Sequence, residues 1–392
     1  MNKCELLLPA GNLEKLRFAL LYGADAVYIG GKVYSLRAQA SNFSLSDIDE
    51  AVKFAHNLNK KVYITVNVIP REKEIDGIKD YLINLEKLNV DGIIVSSPVV
   101  LYTAKNYTHL HVSVSTQASS INTDSVNFLY RMGAKRIVLG RELSVKEIQE
   151  IKENTDAEVE VFIHGGMCSS YSGRCTLSNY LSNRDANRGG CAHSCRWNYD
   201  IYKDEKINKE TFQIASKDLD GIPFIKDVIE AKVDSLKVEG RMKSVHYVAT
   251  IAYTYRRLID DIYSNKLKDY SFYEKLIESA ENRYSSTGFL GGDTLDVGTL
   301  YSLVSLEANK SFCGIVLKYD NLTHEALVET RNYFEVGDNI SVMSPGEEIK
   351  SFVLKEISNK EGNLTSSRHA LSIVKIKSDV ILKENDILRR NV

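Results

Sequence analysis

Eight short apolar runs, separated by helical stretches at spacings of mostly 20–35 residues, constrain this chain more than any other feature. They lie in CELLLPA (4–10), YGADAVYIGG (22–31), KVYITVNV (61–68), LNVDGIIVSS (88–97), LHVSVSTQ (110–117), RMGAKRIVLGR (131–141), EVEVFIHGG (158–166) and AKVDSLKVEG (231–240). Each run is nearly continuous rather than alternating, the pattern of a strand covered on both faces. Helix starts are legible between them. Ser44 precedes LSDIDEAVKFAHNL with Asp47 three residues on, and Ser144 precedes VKEIQEIKEN with Glu147 in the capping-box position. Such alternation predicts an α/β fold, a parallel (β/α)8 TIM-like barrel over residues 1–265, closed by the helix SVHYVATIAYTYRRLIDDIYSN (244–265). A doubly wound open sheet is the rival, but no glycine fingerprint follows the first strand.

The pattern then changes. Residues 266–302 form a polar linker, and from 303 to 392 the runs FCGIVLKY, HEALVETR, DNISVMSPG, IKSFVLKEI and ALSIVKIK predict a small C-terminal β-barrel domain. Cys313 falls inside one of these strands and reads as core.

Chemistry concentrates between His164 and Trp197, in HGGMCSSYSGRCTLSNYLSNRDANRGGCAHSCRW. This Cys-rich insertion (164–199) follows the seventh strand, at the end of the barrel where active sites form. Four of the chain's six cysteines stand there, Cys168, Cys175, Cys191 and Cys195, spaced C-x6-C-x15-C-x3-C. No apolar run approaches a membrane span and the amino terminus lacks a signal-peptide pattern, so a cytoplasmic protein with no membrane partner is expected. Reducing surroundings disfavour disulfides. Zinc sites usually use tighter C-x2-4-C knuckles, whereas iron–sulfur clusters accept four thiolates at irregular spacing. Glycine and small polar residues between the cysteines let backbone N–H groups approach sulfur. An iron–sulfur cluster is the favoured reading, with zinc and a disulfide as alternatives.

Side chains just past the other strand ends complete a candidate site: Asn67, Gln117, Arg141 with Glu142, His164, and Lys237, Glu239 and Arg241, with Arg37 and Asn42 from the loop after the second strand. The set is rich in cations, which suits an anionic small molecule or a phosphate backbone. Bland roles compete at each position. Asn67 and Gln117 would satisfy loop backbone groups, Arg141 with Glu142 and Lys237 with Glu239 would be rim ion pairs, and His164 a buried core histidine. The insertion adds Arg174, Arg184, Arg188 and Arg196, although a formal net charge of -2 does not advertise nucleic-acid binding. Hydrolase signatures are missing: there is neither a G-x-S-x-G elbow nor an H-E-x-x-H helix.

Together HGGMCSSYSGRC, SNRDANRGGCAHSCRW, SKDLDG and SLKVEGRMKS resemble the collagenase-like peptidase family of unclassified mechanism (the U family). A barrel followed by one small β domain is most similar to its tRNA hydroxylation protein P branch. The resemblance covers nearly the whole chain. It implies that Cys168, Cys175, Cys191 and Cys195 hold an iron–sulfur cluster, of the 4Fe-4S kind. It further implies an oxygen-independent, prephenate-dependent tRNA uridine 5-hydroxylase that converts the wobble uridine of the anticodon loop to 5-hydroxyuridine, with prephenate as hydroxyl donor. In that scheme Arg37, Arg141, Lys237 and Arg241 hold prephenate's carboxylates, Asn42, Asn67 and Gln117 line the substrate site, and His164, Glu142 and Glu239 move protons. A peptidase, or an iron–sulfur accessory subunit of another hydroxylation system, are the competing functions. Assembly with itself or a family paralogue is a further expectation.

Overall fold

The eight apolar runs form eight parallel strands that close on themselves. The computed structural model describes residues 3–36, 42–203, 206–280, 283–294, 298–300, 311–359, 362–364, 366–367 and 370–390. The strands are β1 (Glu5–Pro9), β2 (Ala26–Gly30), β3 (Lys61–Val66), β4 (Gly92–Val95), β5 (Val112–Val114), β6 (Arg136–Val138), β7 (Glu158–Gly165) and β8 (Ser235–Val238). Closure is explicit: β8 pairs in parallel with β1 (Glu5 opposite Ser235) and with β7 (Ser235 opposite Glu160). That excludes the open sheet and bears out the barrel.

Helices α1 (Leu13–Leu21), α2 (Leu45–Asn57), α3 (Ile78–Lys87), α4 (Pro98–Tyr107), α5 (Thr123–Arg131) and α6 (Val145–Glu153) return the chain between the first seven strands. Both predicted capping boxes form, Ser44 with Asp47 and Ser144 with Glu147, and each satisfies backbone donors that a helix start leaves open. After β7 the insertion contains one short helix, α7 (Leu177–Ser182). An antiparallel hairpin that the sequence did not announce, Tyr199–Lys203 with Lys206–Phe212, follows the insertion. The chain comes back as a short strand, Asp218–Asp220, antiparallel to the end of β7, and α8 (Ile225–Glu230) leads to β8. The closing helix, α9 (Val245–Tyr263), packs against α1 and α10 (Tyr270–Glu278). Within 266–302, α10 and the Ser285–Ser286 strand, which pairs with Asp218–Asp220, are thus built onto the barrel. No helix among the described residues is long and apolar enough to cross a membrane.

Burial at the Asp218–Asp220 strand makes a pH prediction. Asp220 Oδ1 accepts from Ile222 N at 3.0 Å and lies 3.5 Å from Tyr255 Oη, and burial raises its pKa from 3.8 to about 6. A carboxyl with a raised folded pKa contributes stability that is fully present below 3.8 and lost as pH rises through about 6. Asparagine keeps the acceptor without the charge. Asp220→Asn should therefore raise Tm at pH 8 by about 2–5 °C and change it little near pH 4. Thermal melts at the two pH values check this; an equal shift at both would contradict it.

The C-terminal domain is all-β, as expected. Its strands are β9 (Phe312–Asp320), β10 (Glu325–Thr330), β11 (Asn339–Met343), β12 (Lys350–Val353), β13 (Ile357–Asn359), β14 (Gly362–Leu364), β15 (Ile373–Lys377) and β16 (Ile387–Arg390). They form one antiparallel sheet in the order β12-β11-β16-β9-β10-β15-β13-β14. Cys313, Val316, Val328, Phe334 and Leu388 belong to this domain's own core. Other side chains seal it to the barrel. Ile315, Met343 and Ile387 join the barrel core, Tyr22 Oη lies 2.7 Å from Met343 O, and His246 of α9 stacks on Phe312 at 5.0 Å.

Candidate active site

Strand periodicity puts charges inside the barrel. Along β7, Glu158, Glu160 and Phe162 share one parity, and Glu160 is fully buried. Lys237 Nζ of β8 donates to Glu160 Oε1 at 2.6 Å, and Arg136 of β6 reaches Glu160 Oε2 at 3.2 Å, Glu5 Oε1 at 2.6 Å and Glu158 Oε2 at 2.8 Å. Burial pushes the Glu160 carboxyl up, but Lys237 and Arg136 outweigh it and hold it ionised, below its ordinary pKa. The Lys237 ammonium also stands 4.7 Å from the Tyr28 ring centroid and 5.5 Å from that of Phe162. Lys237, a candidate for substrate binding, is a buried ion-pair partner here, and its acid is Glu160 rather than the Glu239 of the competing rim-pair reading.

Above this network lies the mouth. Gly165 adopts φ +100°, and a Cβ there would sit 2.5 Å from Glu239 O, so only glycine lets the end of β7 pass beneath the loop after β8. Gly166 N then donates to Glu239 Oε2 at 3.3 Å, while Arg141 Nη1 donates to Gly166 O at 2.5 Å. The Arg141 guanidinium stacks over Phe162, 3.9 Å from the centroid, and its buried Nε has no hydrogen-bond partner among the described residues. Burial lowers the Arg141 pKa against the pull of Glu239 and Cys168, and burial raises that of Glu142. A cavity of about 720 Å³ opens beside them, lined by Glu142, Met167, Cys168, Tyr171, Lys217 and Phe289 among others.

The insertion is pinned over this mouth by glycine and arginine. Gly173 adopts φ +81°, and a Cβ would come within 2.4 Å of Gln117 O. Ser119 Oγ donates to Ser172 O at 3.0 Å. Arg188 pairs with Glu74 at 2.7 Å, and Arg196 donates to Ser216 O at 3.2 Å. All four cysteines are free thiols, Cys168 and Cys191 exposed and the other two half-exposed, and Cys168 lies within electrostatic reach of Cys175 and Cys195. As donors they suit a thiolate-ligated group. Among the described residues, however, no three His, Cys, Asp or Glu side chains converge on one metal position. Gly173→Ala should push the Cys168–Cys175 loop off Gln117. Any group ligated by the four thiols should then be retained severalfold less while the Tm of the barrel moves little; full retention would show that the loop contact is dispensable.

The remaining candidates have varied surroundings. Arg241 is buried and holds the loop after β2, donating to Asn42 Oδ1 at 2.8 Å, Ser35 Oγ at 3.1 Å and Leu36 O at 3.2 Å. Asn67 Nδ2 donates to Gln117 Oε1 at 2.8 Å, tying the loops after β3 and β5 together. His164 is buried against Tyr247 and Tyr255 of α9, with Nδ1 3.2 Å from Tyr255 Oη, and burial lowers its pKa to about 3, which keeps it neutral. Arg37 lies outside the described residues. Sequence reading passed over Glu160, Arg136 and Glu5, although a single charge inside an apolar strand run was the available signal. It also passed over Asp218, whose carboxylate meets Arg196, Lys243 and Arg283 at 3.5–3.6 Å.

The family description "Peptidase family U32" matches residues 11–297, and "Peptidase family U32 C-terminal domain" matches 308–389. The chain belongs to peptidase family U32. Among similar proteins, tRNA hydroxylation protein P1 of Bacillus subtilis is 41% identical over 402 residues, covering 99% of this U32 chain and 95% of that protein. The tRNA hydroxylation protein P of Escherichia coli is 33% identical, covering 92% of this chain and 90% of its own. A collagenase of Porphyromonas gingivalis is 29% identical over 88% of this chain and 87% of that protein. The resemblance drawn from the cysteine and SKDLDG motifs is borne out at the level of the family, and its similarity to the tRNA hydroxylation proteins spans both domains.

Proposed function

We propose that this U32 protein is an RNA hydroxylase that acts on tRNA, replacing hydrogen by hydroxyl at carbon 5 of the wobble uridine with prephenate as co-substrate and hydroxyl donor. The observation that carries the reading is the 41% identity, over essentially the full length of both chains, to a tRNA hydroxylation protein. The cavity lined by Cys168 and Glu142, with Arg141 next to Glu142 in the chain, supports it. A 4Fe-4S cluster held by Cys168, Cys175, Cys191 and Cys195 would supply Lewis-acid or electron-relay chemistry there.

Around that centre the chain's own side chains have distinct tasks. Arg141 offers charge-assisted hydrogen bonds to a carboxylate of prephenate. Glu142, whose carboxyl burial keeps protonated to higher pH, gives or takes a proton at its oxygen. Glu239 orients Gly166, and with it the start of the cysteine loop, through its bond to Gly166 N. Asn67, Gln117, Asn42 and Arg241 hold the loops that shape the mouth, and neutral His164 anchors the end of β7 to α9. The base must leave its stack to enter the cavity. Hydroxylation removes two electrons from the ring, so the donor must leave reduced by two.

The collagenase relative keeps a peptidase in view, but the two thiols outside the insertion are poor nucleophiles. Cys4 and Cys313 are buried, and burial pushes them up to about 11 and about 12. The test uses purified, reconstituted protein with tRNA lacking the modification and prephenate, without oxygen, followed by nucleoside mass spectrometry. Uridine carrying one added oxygen is the expected product. No product with the chain alone, but product once a cell extract is added, would make it an accessory subunit instead.

A further inference from the structure

Of the eight aromatic side chains exposed among the described residues, four fall between Tyr171 and Tyr202, in the insertion and the first strand of the hairpin that follows it. Tyr180 is 87% exposed, Tyr202 64%, Tyr171 45% and Trp197 40%. They stand on one hydrogen-bonded module. Ser178 Oγ of α7 accepts from Ala192 N at 3.0 Å and lies 3.5 Å from Ser194 Oγ, Trp197 N donates to Ser194 O, and Tyr199 Oη donates to Ser194 O at 2.7 Å. Tyr171 is at once exposed and a wall of the cavity beside Cys168, so the aromatic surface runs to the cavity.

The charge of the same segment is opposite to that of the chain. From Cys168 to Tyr202 it holds four arginines against two aspartates, in a chain of net charge -2. Two of the arginines are committed, Arg188 to Glu74 and Arg196 to Asp218. Arg184 has no side-chain partner among the described residues, and the exposed Arg174 makes only a 3.4 Å contact with Ser119 Oγ. Exposed rings interleaved with available guanidinium groups suit unpaired nucleotides, whose bases stack on rings while cations meet the phosphates. A duplex hides its base faces and cannot use such a surface.

We infer that the cysteine insertion is the RNA-reading surface of this protein: nucleotides of a single-stranded loop stack on Tyr180 and Trp197, Arg184 and Arg174 meet their phosphates, and Tyr171 guides one base into the cavity. This rests on the RNA-hydroxylase reading and specifies where the RNA is held. Trp197 is the chain's sole tryptophan and reports directly on stacking. The experiment titrates the reconstituted holoprotein with an RNA hairpin bearing an unpaired, uridine-containing loop, and with a blunt duplex of the same stem, following Trp197 fluorescence. The hairpin should quench and the duplex should not. Tyr180→Ala should weaken hairpin binding about tenfold or more, with iron content and Tm unchanged. Arg184→Ala should flatten the salt dependence by about one ion. Hairpin binding by the parent that both variants retain within about twofold would overturn the surface while leaving an RNA enzyme standing. No binding of either RNA by the parent would overturn both readings. Self-association that Tyr180→Ala abolishes, without quenching by RNA, would assign the aromatic face to a second copy of the chain.

Discussion

Arg141→Ala should lower prephenate-dependent tRNA hydroxylation by roughly 100- to 1,000-fold. The expectation follows from how this cation is placed. Lys237 is occupied by Glu160, and Arg241 by Asn42 and the loop after β2. Arg141 forms no ion pair among the described residues, yet it stays inside the mouth, clamped to Gly166 O and stacked on Phe162. Burial disfavours its charge and Glu239 offsets this without forming an ion pair, so an anion bound in the mouth would stabilise it further. Arg141→Lys should not restore activity, because a point ammonium cannot both stack on the ring and present a planar donor pair. The loss should appear mainly as a raised KM for prephenate, with tRNA affinity nearly unchanged. Unaltered prephenate saturation in Arg141→Ala would remove this residue from the carboxylate site.

Glu160→Leu should be the most damaging single change to stability, costing about 3–5 kcal/mol. The carboxylate sits between Lys237 and Arg136 in the barrel interior, and its removal leaves Lys237 without a counter-ion there. In a barrel of this size that is a fall of roughly 10 °C in Tm. The double variant Glu160→Leu, Lys237→Met should regain much of the loss, since hydrophobic replacement of a whole buried pair is often neutral or better. Thermal and urea unfolding of the single and double variants decide the matter. A double variant no better than the single one would mean that Arg136, rather than Lys237, carries the stranded charge.

The barrel was legible because its strands are buried on both faces and read as unbroken apolar runs, and because the boxes at Ser44 and Ser144 mark helix starts by local chemistry. Where a strand lacks that signature, the sequence was mute. The hairpin of residues 199–212 is strongly polar, and β16 begins as Ile-Leu but ends in two arginines. The same limit governed the site. Cysteine spacing is a one-dimensional signal, so the insertion could be found without coordinates. Ion-pair partners are three-dimensional. Lys237 stands two residues from Glu239, yet strand pairing carries it to Glu160, 77 residues away in sequence. His164 precedes the cysteines directly, but the end of β7 delivers it to the aromatic rings of α9.

Visible absorption with iron and sulfide analysis, on anaerobically purified parent protein and on Cys191→Ser, tests most directly that the insertion over the barrel mouth is a redox or Lewis-acid centre. A broad sulfide-to-iron absorption is expected in the parent, with iron and sulfide in equal amounts, and its loss in the variant at unchanged Tm. A colourless parent that binds zinc, or an absorption that Cys191→Ser leaves intact, would contradict it.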